Sequence, residues 1–398
     1  MPLPTQAGPS PAFLEKPRHI LILGARSPAC LEWARAFRAA GWRVSAADSL
    51  RWPISRFSRA VDAYHRLPSP RANPARWLDA LRQAITRHGV DLVLPTCEET
   101  FYLSSGRDTL PCRVLTERFD LMRQLHHKHR FALMTRGWTA QAPETRLLES
   151  PDAVMRMRHA APGWVFKPAY SRFASRALLR PSPAQLARAR PSASRPWVAQ
   201  RYMPGREHCS YSVLAAGRVT AHACYHPRYR AGKAAGVWFE PTDPAPIRAF
   251  IERFGAETGY SGQVGFDFIE TADGACHVLE CNPRATSGVH LFSDQPQQLV
   301  AALLDDIPPG EVLRPAASPK MVAAAMLLFA ARRHGWRREF WTDFGRADDV
   351  LARRDEPWLL PAQCLGLLEV AGRGLLRGRG LLAASTADIE WNGQALDE

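Results

Sequence analysis

The sequence predicts an α/β protein whose first part is an open α/β domain. Residues 19–23 form a short apolar run that enters Gly24, residues 29–40 have a helical pattern, and a second strand is predicted near Val44. This order is typical of the opening β-α-β unit of a parallel sheet. From Trp164 onward the pattern changes to successive strands, and from about Glu311 it is mostly helical. We therefore expect an α/β fold with an α+β central part and a mainly helical C-terminal extension.

The turn after the first strand disfavours a nicotinamide dehydrogenase. It reads Gly-Ala-Arg-Ser-Pro-Ala from Gly24 and lacks the G-x-G-x-x-G spacing that admits a dinucleotide pyrophosphate. A helix over 74–88 and a buried strand over 91–95 follow, with Glu98 and Glu99 at the carboxyl end of that strand. Ligands bind at this end of open α/β sheets. Either glutamate could contact a substrate amine, or both could be acids that favour the start of the next helix.

Two carboxylates are predicted to face each other on a hairpin. Asp273-Gly274 is a two-residue turn signal between alternating apolar runs. If these residues form the loop, Asp267 and Glu280 are direct partners with Cβ atoms roughly 5 Å apart, and Asn282 points to the same face. Two carboxylates and an amide oxygen suit Mg²⁺, with Mn²⁺ as a possible substitute. The alternative is a solvated hairpin on which the two acids relax apart.

The composition is that of an ordinary globular protein with an excess of positive charge. The 398 residues carry a formal net charge of +14, but only five of the 52 basic residues are Lys, at positions 16, 128, 167, 233 and 320. This bias indicates that Arg replaces Lys generally. The positive charge is therefore weak evidence for a nucleic-acid partner, and we expect none. We expect no membrane span and no membrane partner, because the longest apolar run, 321–331, is shorter than the roughly 20 residues needed to cross a bilayer. No secretory signal and no C-x-x-C pair is visible, and we predict a cytoplasmic protein with reduced thiols.

Two histidine-containing segments offer weaker metal hypotheses. His126, His127 and His129 lie in a polar helical stretch without Cys or carboxylate neighbours, and His222, Cys224 and His226 alternate along one strand. Each could bind zinc. A helical surface in the first case and a strand that lines a pocket in the second are the interpretations that we favour.

An ordered set of motifs resembles the ATP-grasp superfamily of carboxylate-activating, carboxylate–amine ligases. The resemblance covers roughly residues 19–304. Its motifs are a lysine before a helix, a Gly and Pro-x-Thr order, a lysine within a strand, a hinge segment, and an acidic hairpin that continues into an arginine. In this sequence they are Lys128, 137–145, 164–168 around Lys167, 200–207, and 265–284, which contains Glu280-Cys-Asn282-Pro-Arg284.

The resemblance implies a role for each matching residue. Lys128 and Lys167 would neutralise phosphate oxygens, and Ser171 would donate to them in a loop that lacks the family's usual glycines; Arg172 and Ser175 could contribute there too. The hinge would hold adenine, and its glutamate would take the ribose hydroxyls. Arg284 and Lys233 would stabilise the transferred phosphoryl group, although Arg228 or Arg230 could replace Lys233. The implied ATP-binding hinge residues are Gln200, Arg201, Tyr202, Met203 and Glu207, and the implied metal ligands are Asp267, Glu280 and Asn282. Apart from the resemblance, we take Glu98, Glu99, Arg230 and His290 as candidate substrate contacts.

The resemblance also implies an organisation and an activity. We expect a pre-ATP-grasp domain over 17–115, a two-lobed ATP-grasp domain over 116–310 with its small lobe at about 139–199, and an extension over 311–398. The activity would be an ATP- and Mg²⁺-dependent ligase that activates a small carboxylate as an acyl phosphate and couples it to an amine. A phosphotransferase on the same fold is the first alternative. A protein that binds a polyanion or an acidic partner, through the basic cluster at 332–338, is the second. A homodimer and an acidic carrier partner also remain open.

Overall fold

The first part of the protein is a parallel sheet of five strands. The computed structural model describes residues 18–171, 176–231, 235–331, 335, 337–353 and 355–396. The strands are β1 His19–Leu23, β2 Arg43–Asp48, β3 Ala63–Arg66, β4 Leu92–Leu94 and β5 Arg113–Val114. The helices are α1 Pro28–Ala39, α2 Pro74–His88 and α3 Thr100–Gly106, with single 3₁₀ turns at Ile54–Phe57 and Arg107–Thr109. The strand order is β3-β2-β1-β4-β5. Strands β2 and β3 are added on one side of β1, and β4 and β5 on the other, so the order switches between β1 and β4.

Local sequence signals explain these elements. Every residue of β1 is buried, as expected for a central strand with helices on both faces. The side chain of Ser27 caps α1 by accepting a hydrogen bond from the N–H of Cys30 at 3.0 Å. Helix α2 ends at Gly89, which adopts the left-handed conformation at φ 59°. The predicted β-α-β start and the strand before Glu98 are therefore confirmed.

A small antiparallel sheet follows two helices. The helices are α4 Phe119–His126 and α5 Lys128–Met134. The sheet consists of β6 Thr145–Leu148, β7 Trp164–Pro168, β8 Leu178–Leu179 and β9 Trp197–Arg201 in the order β6-β9-β7-β8. Two short helices and a 3₁₀ turn accompany it: α6 Pro151–Arg156, Ala161–Gly163 and α7 Pro183–Leu186. Its apolar face packs on its own small core around Phe166 and Leu186.

The largest sheet has seven strands in the order β14-β13-β10-β11-β12-β15-β16. Its first five strands are β10 Arg206–Ala215, β11 Arg218–Ala231, β12 Ala235–Thr242, β13 Gly262–Glu270 and β14 Cys276–Asn282. Helices α8 Ala245–Thr258 and α9 Pro296–Leu304 and the 3₁₀ segment Ser287–Phe292 are interspersed. The whole arrangement is the predicted α/β fold class with antiparallel sheets in its central part.

The C-terminal segment is helical for the most part, but it also completes the large sheet. Strand β15 Lys320–Met321 pairs with β12, and β16 Asp348–Asp349 pairs with β15. These two strands were not predicted. The helices are α10 Ala323–Ala325, which continues as the π-helical Met326–Ala330, then α11 Arg338–Arg346, α12 Leu359–Leu375 and α13 Leu381–Ala384. Within the described ranges, none of the helices has the length and apolarity that crossing a bilayer requires.

The end of the C-terminal segment packs against the carboxyl edge of the first sheet. Arg26, in the turn after β1, forms ion pairs with Asp48 and with Asp388. Nη1 of Arg26 lies 2.6 Å from Oδ1 of Asp388. Trp391 is 1% exposed and stacks on Phe101 of α3 with ring centroids 5.1 Å apart. The segment thus joins residues that are more than three hundred positions apart in the chain.

Candidate active site

The hairpin of β13 and β14 brings two carboxylates together, although its turn differs from the prediction. Asp267 is the direct partner of Glu280, and Gly265 is the partner of Asn282. The two-residue turn was wrong: Thr271 donates its N–H to the carbonyl of Ala275 at 2.8 Å, which leaves a three-residue loop. The register then shifts by one residue between Asp267 and Phe268.

A bulge at Leu279 compensates for the longer turn. Phe268 pairs with Val278 and Asp267 pairs with Glu280, so Leu279 has no partner residue on β13. The extra residue restores the predicted facing of the two acids, because side chains alternate with a period of two. The carbonyl of Leu279 accepts a hydrogen bond from Nε2 of Gln200 at 3.3 Å. The bulge therefore links the hairpin to β9 of the small sheet.

Two lysines converge on Glu280. Lys128 Nζ lies 3.2 Å from its Oε2, and Lys167 Nζ lies 3.7 Å from the same atom. Burial alone would raise the pKa of Glu280, but the two ammonium groups lower it to about 2. Asp267 has no comparable cation, and its burial together with the charge of Glu280 raises its pKa to about 6. The site therefore holds one fully ionised carboxylate next to a second whose charge is poorly compensated.

Local structure places both lysines. Lys128 is the first residue of α5, after His127, whose ring accepts from the N–H of Arg130 at 3.4 Å. Its side chain is 3% exposed and donates to the carbonyl of Ser171 at 2.8 Å. Lys167 projects from β7, and burial lowers its pKa while Glu280 opposes that shift. Ser171 contacts Lys128 through its carbonyl group, whereas the sequence predicted a role for its hydroxyl as a donor.

The three predicted metal ligands lie next to one another. Asn282 Nδ2 donates to Asp267 Oδ2 at 3.2 Å, and its Oδ1 accepts from Arg284 Nη2 at 3.2 Å. A hard divalent cation would supply the positive charge that Asp267 lacks. Asp267 and Glu280 offer it carboxylate oxygens, whereas Asn282 presents its amide nitrogen to Asp267 and would bind the cation through Oδ1 after its amide group turns. The residues therefore fit Mg²⁺. Among the described residues, no group of three or more His, Cys, Asp or Glu side chains is arranged to hold a metal, so the zinc hypotheses find no support.

Arg284 joins this hairpin to the first sheet. Its Nε lies 2.9 Å from Oε1 of Glu98, which is 2% exposed, and this carboxylate raises the pKa of Arg284 against the effect of burial. Glu99 accepts N–H groups from Thr96 at 3.1 Å and Cys97 at 2.9 Å. Burial raises the pKa of Glu99 to about 7, and its Oε2 has no hydrogen-bond partner among the described residues. Both acids thus lie at the predicted sheet edge, and Glu98 neutralises Arg284.

Solved structures of other proteins share the fold of this chain. No family model matches the sequence, and no curated protein does. Among solved structures, the L-amino acid ligase of Bacillus licheniformis superposes with a TM-score of 0.61 at 14% identity, covering 78% of this chain and 80% of that chain. The fold is shared with ATP-grasp carboxylate–amine ligases.

This chain has the ATP-grasp fold.

Two further structures show the same likeness. The N5-carboxyaminoimidazole synthetase of Staphylococcus aureus has a TM-score of 0.59 at 10% identity, covering 80% of this chain and 85% of that chain. The biotin carboxylase domain of Hydrogenobacter thermophilus 2-oxoglutarate carboxylase, solved with MgADP and bicarbonate, has a TM-score of 0.57 at 13% identity, covering 76% and 73%. At these sequence identities the similarity shows the ATP-grasp fold and does not show the activity of this chain.

The segment predicted as the ATP-grasp hinge begins at the end of β9, an inner strand of the small sheet. Gln200 is 3% exposed and donates to Oγ1 of Thr145 at 3.2 Å. Arg201 lies over the ring of Trp164, 5.7 Å from its centroid, and Tyr202 donates its N–H to the carbonyl of Gly163 at 2.9 Å. Met203 is half-buried next to them. Glu207 is exposed and forms an ion pair with Arg230, so these two predicted residues contact each other.

Several predicted residues lie elsewhere or outside the described ranges. Arg228 pairs with Asp343 of α11 at 3.1 Å and with Glu339, so it anchors the C-terminal segment. His290 is 2% exposed, and its Nδ1 lies 3.0 Å from Glu32 Oε2 in the core, which gives it a structural partner. Outside the described residues lie Lys233, Arg172, Ser175 and most of the basic cluster 332–338.

Two aromatic residues near Lys128 and Lys167 in the chain or in space were not predicted. Tyr170 follows Lys167 by three residues and packs on Trp391 with ring centroids 5.0 Å apart. The ring of Trp391 also lies 6.3 Å from that of His126, two residues before Lys128. The C-terminal segment therefore packs against residues just before Lys128 and just after the strand that carries Lys167. A single tryptophan in a polar C-terminal stretch does not by itself indicate which part of the protein it contacts. The sequence alone therefore does not predict the packing of Trp391.

Proposed function

We propose that this protein is an ATP- and Mg²⁺-dependent ligase that activates a carboxylate as an acyl phosphate and couples it to an amine. The observation that carries the proposal is the contact of one carboxylate, Glu280, with Lys128 and Lys167 while Asp267 faces it across the hairpin. Lysines that can bind phosphate oxygens, next to paired carboxylates that can bind a divalent cation, suit a nucleoside triphosphate with its cation.

The side chains have separable roles in this proposal. Lys128 and Lys167 bind phosphate oxygens and offset the charge that develops there. Asp267, Glu280 and Asn282 would hold Mg²⁺, which would offset the negative charge of the phosphate groups. The exposed Glu207 accepts hydrogen bonds from the ribose hydroxyls. The hinge at Gln200 to Met203 holds adenine.

The proposed reaction needs no nucleophile from the protein. A substrate carboxylate oxygen attacks the γ-phosphorus, the bond to the β-phosphate oxygen breaks, and ADP leaves. An amine then attacks the acyl carbon, phosphate leaves, and the amine nitrogen loses a proton. Arg284, held by Glu98 at 2.9 Å, is positioned next to the metal ligands and binds the oxygens that become negatively charged. The contribution of the protein is position and charge.

The test is to trap the activated acid. Purified protein with ATP and Mg²⁺ is incubated with pooled carboxylates and hydroxylamine, and ADP and hydroxamate masses are measured. We expect one hydroxamate and an equal amount of ADP. A stable phosphorylated product without hydroxamate would instead indicate a phosphotransferase. Replacing Mg²⁺ by Mn²⁺ should retain activity, because both ions accept oxygen ligands.

A matched pair of variants tests the site. Glu280→Gln should lower ADP formation by about 100-fold or more, since it removes a charge that balances two lysines and binds the metal. Glu252→Gln makes the same chemical change on the exposed face of α8 and should leave the rate unchanged. Equal rates for the two variants would refute the proposal.

A further inference from the structure

The C-terminal helix α12 has an exposed face without a charged side chain. Nine of its residues are exposed, and all of them are apolar or small. The degree of exposure increases toward its end, where Leu368 is 68%, Leu375 84% and the following Leu376 88% exposed. We call the large side chains of this surface the leucine face: Leu360, Leu365, Leu367, Leu368, Leu375 and Leu376. Contiguous apolar surface of this kind marks an interaction site.

The charged residues near the leucine face are distributed unevenly. Arg377 and Arg379 are both exposed and lie between Leu376 and a second exposed pair, Leu381 and Leu382. Neither arginine forms an ion pair among the described residues. We call these residues after α12 the Arg377–Arg379 tip. This tip is basic, and exposed leucines lie on both sides of it.

The one acidic residue between positions 357 and 384 is already engaged. Glu369 accepts hydrogen bonds from the backbone N–H groups of Arg51 and Trp52, each at 2.9 Å, and its carboxylate pairs with Arg373 at 2.7 Å. These contacts hold α12 against the protein on its opposite side. No acidic group of this stretch remains on the exposed face to repel an anionic surface.

We propose that the leucine face and the Arg377–Arg379 tip dock the protein on an anionic lipid surface. A helix with leucines on one side and arginines at its edge lies along the boundary of a bilayer, with the apolar side chains in the acyl region and the guanidinium groups at the phosphates. At 17 residues, or about 25 Å, α12 lies on such a surface and does not cross it.

Charge favours the lipid surface over a second copy of this chain. The net charge of +14 makes two such tips repel each other, whereas an anionic surface attracts them. The proposal does not depend on the ligase activity, because it rests on a different surface of the molecule. The earlier expectation that no membrane is involved was argued from the missing span, which leaves surface attachment open.

Vesicle flotation with the full chain tests the proposal. We expect the protein to float with vesicles of phosphatidylcholine and phosphatidylglycerol, and to bind pure phosphatidylcholine vesicles about tenfold more weakly. High salt should weaken the binding to the anionic vesicles. Equal binding to both kinds of vesicle, or no binding to either, would overturn it.

Two double variants separate the apolar from the electrostatic contribution. Leu375→Glu with Leu376→Glu should abolish flotation, while the control Leu179→Glu, at a leucine that is 62% exposed in the small sheet, should not. Arg377→Gln with Arg379→Gln should lower the affinity about tenfold. Thermal unfolding of each variant should match that of the parent, because the changed side chains are exposed. A dimer in light scattering that the leucine variant dissociates, without vesicle binding, would assign the face to a second copy and overturn the proposal.

Discussion

Replacing Asp388 by asparagine should destabilise the protein by an amount that depends on pH. The carboxylate is 9% exposed and accepts hydrogen bonds from both terminal nitrogens of Arg26, at 2.6 and 3.0 Å. It also accepts a hydrogen bond from Ser49 and lies 3.3 Å from Arg373. Burial would raise the pKa of Asp388, but Arg26 and then Ser49 lower it from 3.8 to about 2.

The shift sets the size and the direction of the effect. At about 1.4 kcal/mol per pKa unit, the ionised form contributes about 2 kcal/mol to the free energy of unfolding. Because the pKa in the folded state is lower than in the unfolded state, this contribution is complete above about pH 4 to 5. It is lost as the pH falls toward 2, and about half of it remains at pH 3. Arg26 keeps its pair with Asp48 in the variant, so the loss should stay near this value.

Urea denaturation followed by circular dichroism at pH 7 and pH 3 measures the difference. Asp388→Asn should lower the free energy of unfolding by about 2 kcal/mol at pH 7 and by about 1 kcal/mol at pH 3. The control Asp306→Asn changes an exposed acid and should cost less than about 0.5 kcal/mol at either pH. A loss for Asp388→Asn that is as small as in the control, or equal at both pH values, would refute the reasoning.

Three further predictions concern the hairpin and the aromatic contact behind it. Trp391→Ala should cost about 3–5 kcal/mol in thermal unfolding because the ring is 1% exposed, and Trp391→Phe should cost less than half of that. Mg²⁺ affinity, measured by calorimetry, should fall by about tenfold per pH unit below pH 6, because the raised pKa of Asp267 makes a proton compete with the metal; a constant affinity would contradict this. Gly265→Ala should destabilise by about 1–3 kcal/mol because its Cβ would lie 2.4 Å from Thr286, while Gly345→Ala, with nothing within 4 Å, should not.

The sequence predicts the parts of the site that depend on local periodicity. Alternation along β13 and β14 predicts Asp267, Glu280 and Asn282 on one face, and the structure keeps this arrangement because the bulge at Leu279 compensates for the longer turn. The strand before Glu98 was equally visible, because an apolar run of that length between turn residues is typical of a buried strand. The bulge at Leu279 was not visible, since no glycine marks it and an unpaired residue has no compositional signal.

Contacts between distant parts of the chain could not be predicted in this way. Glu98 was placed at the correct sheet edge, but its partner Arg284 lies 186 residues away. The pairing of Arg26 with Asp388 spans 362 residues. One sequence carries no information on which of its many arginines meets which acid, because each alternative pair has the same local chemistry. The role of the C-terminal segment therefore emerges only from the packed structure.

The bulge at Leu279 gives β14 a margin of one residue. Between the turn and the two acids, β14 is one residue longer than β13, and the bulged residue is the one in excess. Deleting Leu279 would therefore leave a regular ladder in which Asp267 still faces Glu280. Deleting a second residue from the same stretch of β14 would bring Cys281, which is 3% exposed in the core, opposite Asp267 and turn Glu280 into the core. The hairpin should therefore tolerate one deletion in this stretch, whereas two should exchange its buried side and its site-facing side.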